Sequence, residues 1–162
     1  MKQIFSDKAP RIIKAKWELE KVLNVKIQVK GKDIEISGEP VNEFVAEKVI
    51  DALNLGFEMK TAILLKEEEF ILEIINIKEH TKRRDLETIR ARIIGTERKT
   101  LATLEHLTHC FFQVKDNFVG VLGPADWVEN AQQAIISLIK GSKQANVYAF
   151  LEHHQIPKIE HL

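Results

Sequence analysis

The chain has 162 residues, of which 44% are hydrophobic and 30% charged, and its 24 basic side chains balance 24 acidic ones. This is the composition of an ordinary globular protein, and zero net charge argues against a strongly electrostatic nucleic-acid binder. No apolar run approaches the roughly 18 residues of a membrane span, Met1–Phe5 has no secretory apolar core, and a single cysteine builds no disulfide framework, so the expected compartment is the cytoplasm.

In chain order, Lys2–Ser6 is the candidate first strand and Arg11–Leu23 a helix. Val25–Val29 and Ile34–Ser37 follow as strands, then a helix from Pro40 to Leu55 that Gly56 stops. Glu58–Glu69 reads as a short connecting helix, acidic at its end. Phe70–Ile77 is short, apolar and isoleucine-rich, which predicts a strand. Asp85–Ile94 predicts a short helix ending at Gly95, with Leu86, Ile89 and Ile93 on one face, and Lys99–Cys110 predicts a second. Phe111–Lys115 and Phe118–Leu122 form a hairpin around Asp116-Asn117, residue types that tolerate a tight turn. Gly123-Pro124 opens a further helix whose stripe runs through Trp127, Val128, Ala131, Ile135 and Leu138 to Gly141.

These elements repeat. Ile27–Gly38 lines up with Phe112–Gly123 at a spacing of 85 residues, and at that spacing Leu19 meets Leu104, Ala46 meets Ala131, Ile50 meets Ile135, Leu53 meets Leu138 and Gly56 meets Gly141. A repeat this long predicts two tandem copies of a small domain rather than a solenoid. The copies differ at their start. The second carries Ile93-Ile94-Gly95-Thr96-Glu97-Arg98-Lys99-Thr100 between two helices, whereas the first has no glycine before Gly31. Arg-Ile-Ile at 11–13 matches the same triplet at 92–94 only if four residues are missing from the first copy; without that gap Pro10–Ile13 would face Gly95–Arg98.

Charge is uneven too. Residues 82–99 hold seven cations (Lys82, Arg83, Arg84, Arg90, Arg92, Arg98 and Lys99) against Asp85, Glu87 and Glu97, and every arginine but Arg11 lies there. The planar guanidinium fork suits phosphate, although a solvated helix face explains such a run equally well. His106, His109 and Cys110 are metal-ligand types on one helix, but no second cysteine exists to complete a structural zinc site, so no metal is expected. The sequence has no P-loop, dinucleotide-binding glycine pattern or Gly-x-Ser-x-Gly elbow, which predicts a non-enzyme without cofactor.

A strand-helix-loop-helix-strand-strand-helix order with Ile-Ile-Gly-x-x-x-basic-Thr at the helix junction resembles a type I KH domain. The second copy further resembles the C-terminal KH domain of the archaeal two-KH rRNA-processing family, relatives of the eukaryotic partner of Nob one. The matching stretches are Leu72–Ile75, Arg92–Gly95, Lys99-Thr100, Glu105-x-Leu107-Thr108, Leu122-Gly123, and Gly141 followed by Val147-Tyr148-x-Phe150-Leu151-Glu152. The resemblance implies an α+β protein of two tandem type I KH-like domains, each a three-stranded antiparallel sheet packed with helices, the first degenerate. The expected divisions are 1–57, a connecting segment 58–69, a KH domain at 70–152 and a tail at 153–162.

The implied function is binding of single-stranded RNA, the small-subunit rRNA near its 3′ end, during ribosome biogenesis. The implied site is Arg90, Arg92, Ile94, Gly95, Thr96, Glu97, Arg98, Lys99 and Thr100, with an apolar base platform from the second helix and Phe111 or Phe112. The implied partners are a pre-rRNA endonuclease and the translation initiation factor that delivers initiator tRNA. One departure stands out: the family's loop is Gly-x-x-Gly, and Arg98 holds the second glycine position. The other reading is a protein-interaction scaffold without RNA affinity, supported by the altered loop, the neutral charge and the acidic first half.

Overall fold

The computed structural model describes residues 1–155; the rest of the expected tail, 156–162, lies outside the described residues. The chain divides into two compact units, Met1–Glu68 and Glu69–Leu162.

In the first unit strand β1 (Lys2–Phe5) is followed by helix α1 (Ala9–Leu23), a hairpin of β2 (Lys26–Lys30) and β3 (Asp33–Ser37), and helix α2 (Pro40–Leu55). The sheet is antiparallel in the order β1-β3-β2, so both outer strands pair with the third. Alternation along β2 and β3 puts Ile27, Ile34 and Ile36 on the buried face, under Ile12 and Leu19 of α1 and Ile50 and Leu53 of α2. The segment read as a connector is a short helix α3 (Met59–Ala62) and a 3₁₀ turn, Ile63–Lys66, which bury Ala62 and Leu65 within this unit.

The second unit has strand β4 (Phe70–Asn76), a 3₁₀ turn at Ile77–His80, helices α4 (Leu86–Ile94) and α5 (Lys99–Thr108), hairpin strands β5 (Phe111–Lys115) and β6 (Phe118–Pro124), then helices α6 (Ala125–Ile139) and α7 (Gln144–His153). Its sheet order, β4-β6-β5, repeats that of the first unit. One core joins Ile75, Phe112 and Val121 of the sheet to Ile93, Leu104 and Ile135 of the helices. Two details differ from the sequence reading. Pro124 ends β6 and caps α6 from outside, because its extended backbone (ψ 137°) continues the strand. Helix α7 is an additional element, held by buried Val147 and Leu151.

The repeat extends to individual hydrogen bonds. Leu19, Leu104, Ala46, Ala131, Ile50, Ile135, Leu53 and Leu138 are all buried, and Gly56 and Gly141 both end a helix at positive φ, 106° and 101°. Glu20 accepts the Ile27 N–H at 3.1 Å, and Glu105, 85 residues on, accepts the Phe112 N–H at 3.3 Å. The Arg11 guanidinium donates to Leu53 O at 3.2 Å and Phe57 O at 2.6 Å; that of Arg92 donates to Leu138 O at 3.0 Å and Ser142 O at 2.6 Å.

The acceptors in that last pair are 85 residues apart, yet the arginines are 81 apart. Four residues are therefore absent from the first unit between the clamp and the rest of the helix, the length of Gly95–Arg98, and α1 runs unbroken where the second unit has α4, a loop and α5. A second shortening lies before the helix. Lys2 faces Ile36 as Glu73 faces Val121, a spacing of 71, so the strand-to-helix connection is ten residues shorter in the first unit.

Candidate nucleic-acid interface

Helix α4 starts at Asp85, whose carboxylate accepts the Thr88 N–H at 3.3 Å and the Thr88 hydroxyl at 2.6 Å. Those two bonds hold the Asp85 carboxyl below its ordinary pKa. The helix ends where Gly95 turns to φ 76°, ψ 167°, its N–H bonded to Ala91 O at 2.8 Å. Only glycine serves here, because a Cβ would stand 2.6 Å from the Thr100 backbone nitrogen.

The chain then makes one tight turn, Thr96–Arg98, with Glu97 (φ 54°) and Arg98 (φ 65°) both left-handed. Arg98 thus keeps the backbone form that a glycine adopts easily, against the steric preference of an L residue. Helix α5 begins at Lys99, whose N–H is taken by Thr96 O, and no side chain caps its first turn, so the positive end of its dipole faces the loop.

The nine expected residues fall into two groups. Thr96, Glu97, Arg98 and Lys99 are exposed around the turn, and Lys99 carries no ion pair among the described residues. Lys82, Arg83 and Arg84 are likewise exposed, on the segment before α4. Ile93 is core, Ile94 is half-buried, and Thr100 is buried, its hydroxyl taking a hydrogen bond from the Gln144 side chain at 3.2 Å. The arginines are committed within the protein. Arg90 donates to Asn117 Oδ1 at 2.6 Å, tying α4 to the hairpin turn, and Arg92 clamps the end of α6. Arg98 turns back along α5 to Glu105 at 3.0 Å and to Phe112 O at 2.9 Å.

The expected phenylalanine platform is not formed. Phe112 is fully buried in the core, and Phe111, one residue earlier on the strand, lies 40% exposed on the opposite sheet face, away from α5. The metal-ligand types also separate: His106 is exposed, His109 packs on Trp127 at 4.7 Å, and Cys110 is buried against Gly123 with its thiol pushed up to about 12. No group of three metal-ligating side chains occurs among the described residues.

Two residues that hold the loop are absent from the expected site. Gln144, at the start of α7, donates to both Arg92 O and Thr100 Oγ1 at 3.2 Å and so fastens the two helices flanking the loop. Glu105 links the loop to β5. Its match to Glu20 at the 85-residue spacing was the available signal.

A sheet with its third strand central, backed by helices and bearing a glycine-initiated loop between the first two of them, defines a type I KH protein. Residues 71–156 match the family model described as eukaryotic type KH-domain (KH-domain type I). A KH domain-containing protein of Methanocaldococcus jannaschii is 29% identical over 147 residues, 86% of this chain and 65% of that protein. The pre-rRNA-processing protein PNO1 of Debaryomyces hansenii is 30% identical over 137 residues, 80% of this chain and 54% of that protein. The crystal structure of an a/eIF2alpha–aDim2p–rRNA complex from Pyrococcus horikoshii matches with a TM-score of 0.86 and 26% identity, over 95% of this chain and 93% of that one. The chain belongs to this KH family, as an archaeal PNO1/Dim2-like protein. It spans about two-thirds or less of the length of these curated relatives.

Proposed function

We propose that the chain binds single-stranded RNA through the loop of its second unit, and that its target is small-subunit rRNA near the 3′ end during ribosome biogenesis. The observation that carries this is the built loop: Gly95 in a backbone form reserved for glycine, seated against Thr100, opening onto the uncapped start of α5 with Lys99 beside it. Amide dipoles plus a free ammonium form a phosphate-binding arrangement, and KH loops use it to clamp the RNA backbone. The relatives support the target. PNO1 is named for pre-rRNA processing, and the matched Pyrococcus structure is titled as a complex with rRNA and a/eIF2alpha. Thr96, Glu97, Arg98 and Lys99 line the strand, Gly95 approaches it, and Arg90, Arg92, Ile94 and Thr100 hold the loop's shape.

The first unit, on this reading, is a degenerate KH-like domain that serves structure or protein contact, since its unbroken α1 leaves nowhere for a phosphate loop. Partners are a translation initiation factor and a pre-rRNA endonuclease in the cytoplasm, and the chain acts by binding rather than catalysis. The test is fluorescence anisotropy with an RNA copying the small-subunit rRNA 3′ end, across a salt series, against Arg98→Glu with Lys99→Glu. Binding that weakens with salt, prefers this RNA to a scrambled one and is lost in the double variant supports the reading. No binding at tens of micromolar overturns it.

One observation favours the second reading, a protein-interaction scaffold without RNA affinity: Arg90, Arg92 and Arg98 are all engaged within the unit instead of forming a free basic face. The same titration decides between them.

A further inference from the structure

Strand β5 pairs only with β6, so its other edge faces outward, and antiparallel alternation turns both the N–H and the C=O of Phe112 to that edge. An outward pair of this kind, beside a helix and a phosphate loop, is a place for a base or a backbone to dock. Here it is closed. Glu105 Oε2 accepts the Phe112 N–H at 3.3 Å, Glu105 Oε1 accepts from Arg98 Nη1 at 3.0 Å, and Arg98 Nη2 donates to Phe112 O at 2.9 Å. These three bonds form a ring from the loop, along two turns of α5, to the strand edge.

The first unit isolates what is new in the ring. Glu20 makes the matching bond to Ile27 N–H, yet α1 has no residue in the place of Arg98, because Gly95–Arg98 is the stretch that the first unit lacks. The glutamate–strand bond is thus common to both units, and the arginine bridge belongs to the loop. Arg98 holds a left-handed backbone (φ 65°) and folds its fork inward onto Glu105 and Phe112 O.

We infer that Arg98 is a gate on the outer edge of β5 beside the loop, where an RNA strand would enter. In the free protein it bridges Glu105 and Phe112 O, and an entering strand exchanges those two bonds for one to a phosphate. The exchange leaves Arg98 in a charge-assisted hydrogen bond, frees the Phe112 carbonyl for a base edge and adds one cation to the bound phosphate path. This inference rests on the binding reading above. Arg98 then serves two roles at one position: a closure that excludes weak ligands and a contact that appears only once a strand is in place.

Glu105 is the residue to change, because it holds the gate shut without lying on the phosphate path. Glutamine offers one acceptor oxygen to two donors, and aspartate keeps the charge but withdraws it by one methylene. Since an ion pair this exposed shifts an equilibrium by about threefold to fivefold, E105Q and E105D are both expected to tighten binding of the 3′-end RNA by about that factor at low salt. The salt slope stays that of wild type in both variants, because all three bind with Arg98 on a phosphate, and it falls by about 0.7, the value of one phosphate contact on a single strand, in Arg98→Ala. In an Arg98→Ala background neither change has any effect. Unchanged or weaker binding by E105D, or tightening by E105Q that persists in Arg98→Ala, overturns the gate, the latter showing that Glu105 acts by its charge alone. Failure of wild type and both variants to bind RNA at all instead removes the binding reading, and the gate with it.

Discussion

Gly95→Ala is the sharpest perturbation of the loop. The backbone at Gly95 (φ 76°, ψ 167°) lies in a region reserved for glycine, and placing an L residue there costs about 1–3 kcal/mol. The added methyl would also stand 2.6 Å from the Thr100 nitrogen, part of the first turn of α5, which yields only if the helix moves. Overpacking of this kind costs about 1–3 kcal/mol. Local adjustment relieves part of each, so the expected loss is about 3 kcal/mol in the second unit, a fall in Tm of about 15 °C for a unit of this size. The two tryptophans lie one in each unit, Trp17 and Trp127, so in a Trp17→Phe background urea unfolding followed by fluorescence reports the second unit alone. Gly31→Ala is the control, with φ 62° but nothing within 4 Å of the new methyl, and should cost only about 1–2 kcal/mol, read by amide exchange in β2 and β3. A Gly95→Ala protein within about 0.5 kcal/mol of wild type would refute the account of why the loop begins with glycine.

Other outcomes follow from the same contacts. Arg11→Ala and Arg92→Ala each remove two bonds from a charged donor to helix-end carbonyls, and each should destabilise its own unit by about 2 kcal/mol while leaving amide exchange in the other unchanged. Gln144→Ala should weaken RNA binding several-fold without changing the salt slope, because Gln144 shapes the loop from behind and places no charge near a phosphate. Burial keeps the Cys110 thiol protonated up to about 12, whereas in the unfolded chain it ionises near about 8.5. The folded state therefore holds the extra proton between those values, and stability falls as pH rises through that window. Urea titrations from pH 8 to 11 should show that decline in wild type and a flatter curve in Cys110→Ala.

How much of this was legible in the sequence depended on whether the determinants were contiguous. The hairpins and the helices after them could be aligned at a fixed spacing because nothing is inserted between them, and Gly56 and Gly141 end those helices at nearly the same φ. The helical starts were harder. Arg-Ile-Ile at 11–13 pointed to a four-residue gap, but only the paired guanidinium clamps on Leu53 and Leu138 fix it there. The ten-residue shortening after β1 left no sequence signal, since it is defined by strand register. Of the candidate site, the backbone of Gly95 was foreseeable from residue type, while the commitments of Arg90, Arg92 and Arg98 were not. Their acceptors lie between 7 and 50 residues away and are mostly main-chain carbonyls, which any sequence offers. Phe111 and Phe112 show the same limit: alternation requires one to be buried, and only the sheet decides which.

The central claim is that RNA meets this chain at the loop of the second unit. Titration of ¹⁵N-labelled protein with the 3′-end RNA, followed by amide chemical shifts, tests it most directly. The account predicts saturable shifts concentrated at Gly95–Thr100 and at Phe112–Val114, with Met1–Glu68 unmoved. Shifts confined to Met1–Glu68, or none at saturating RNA, would contradict it.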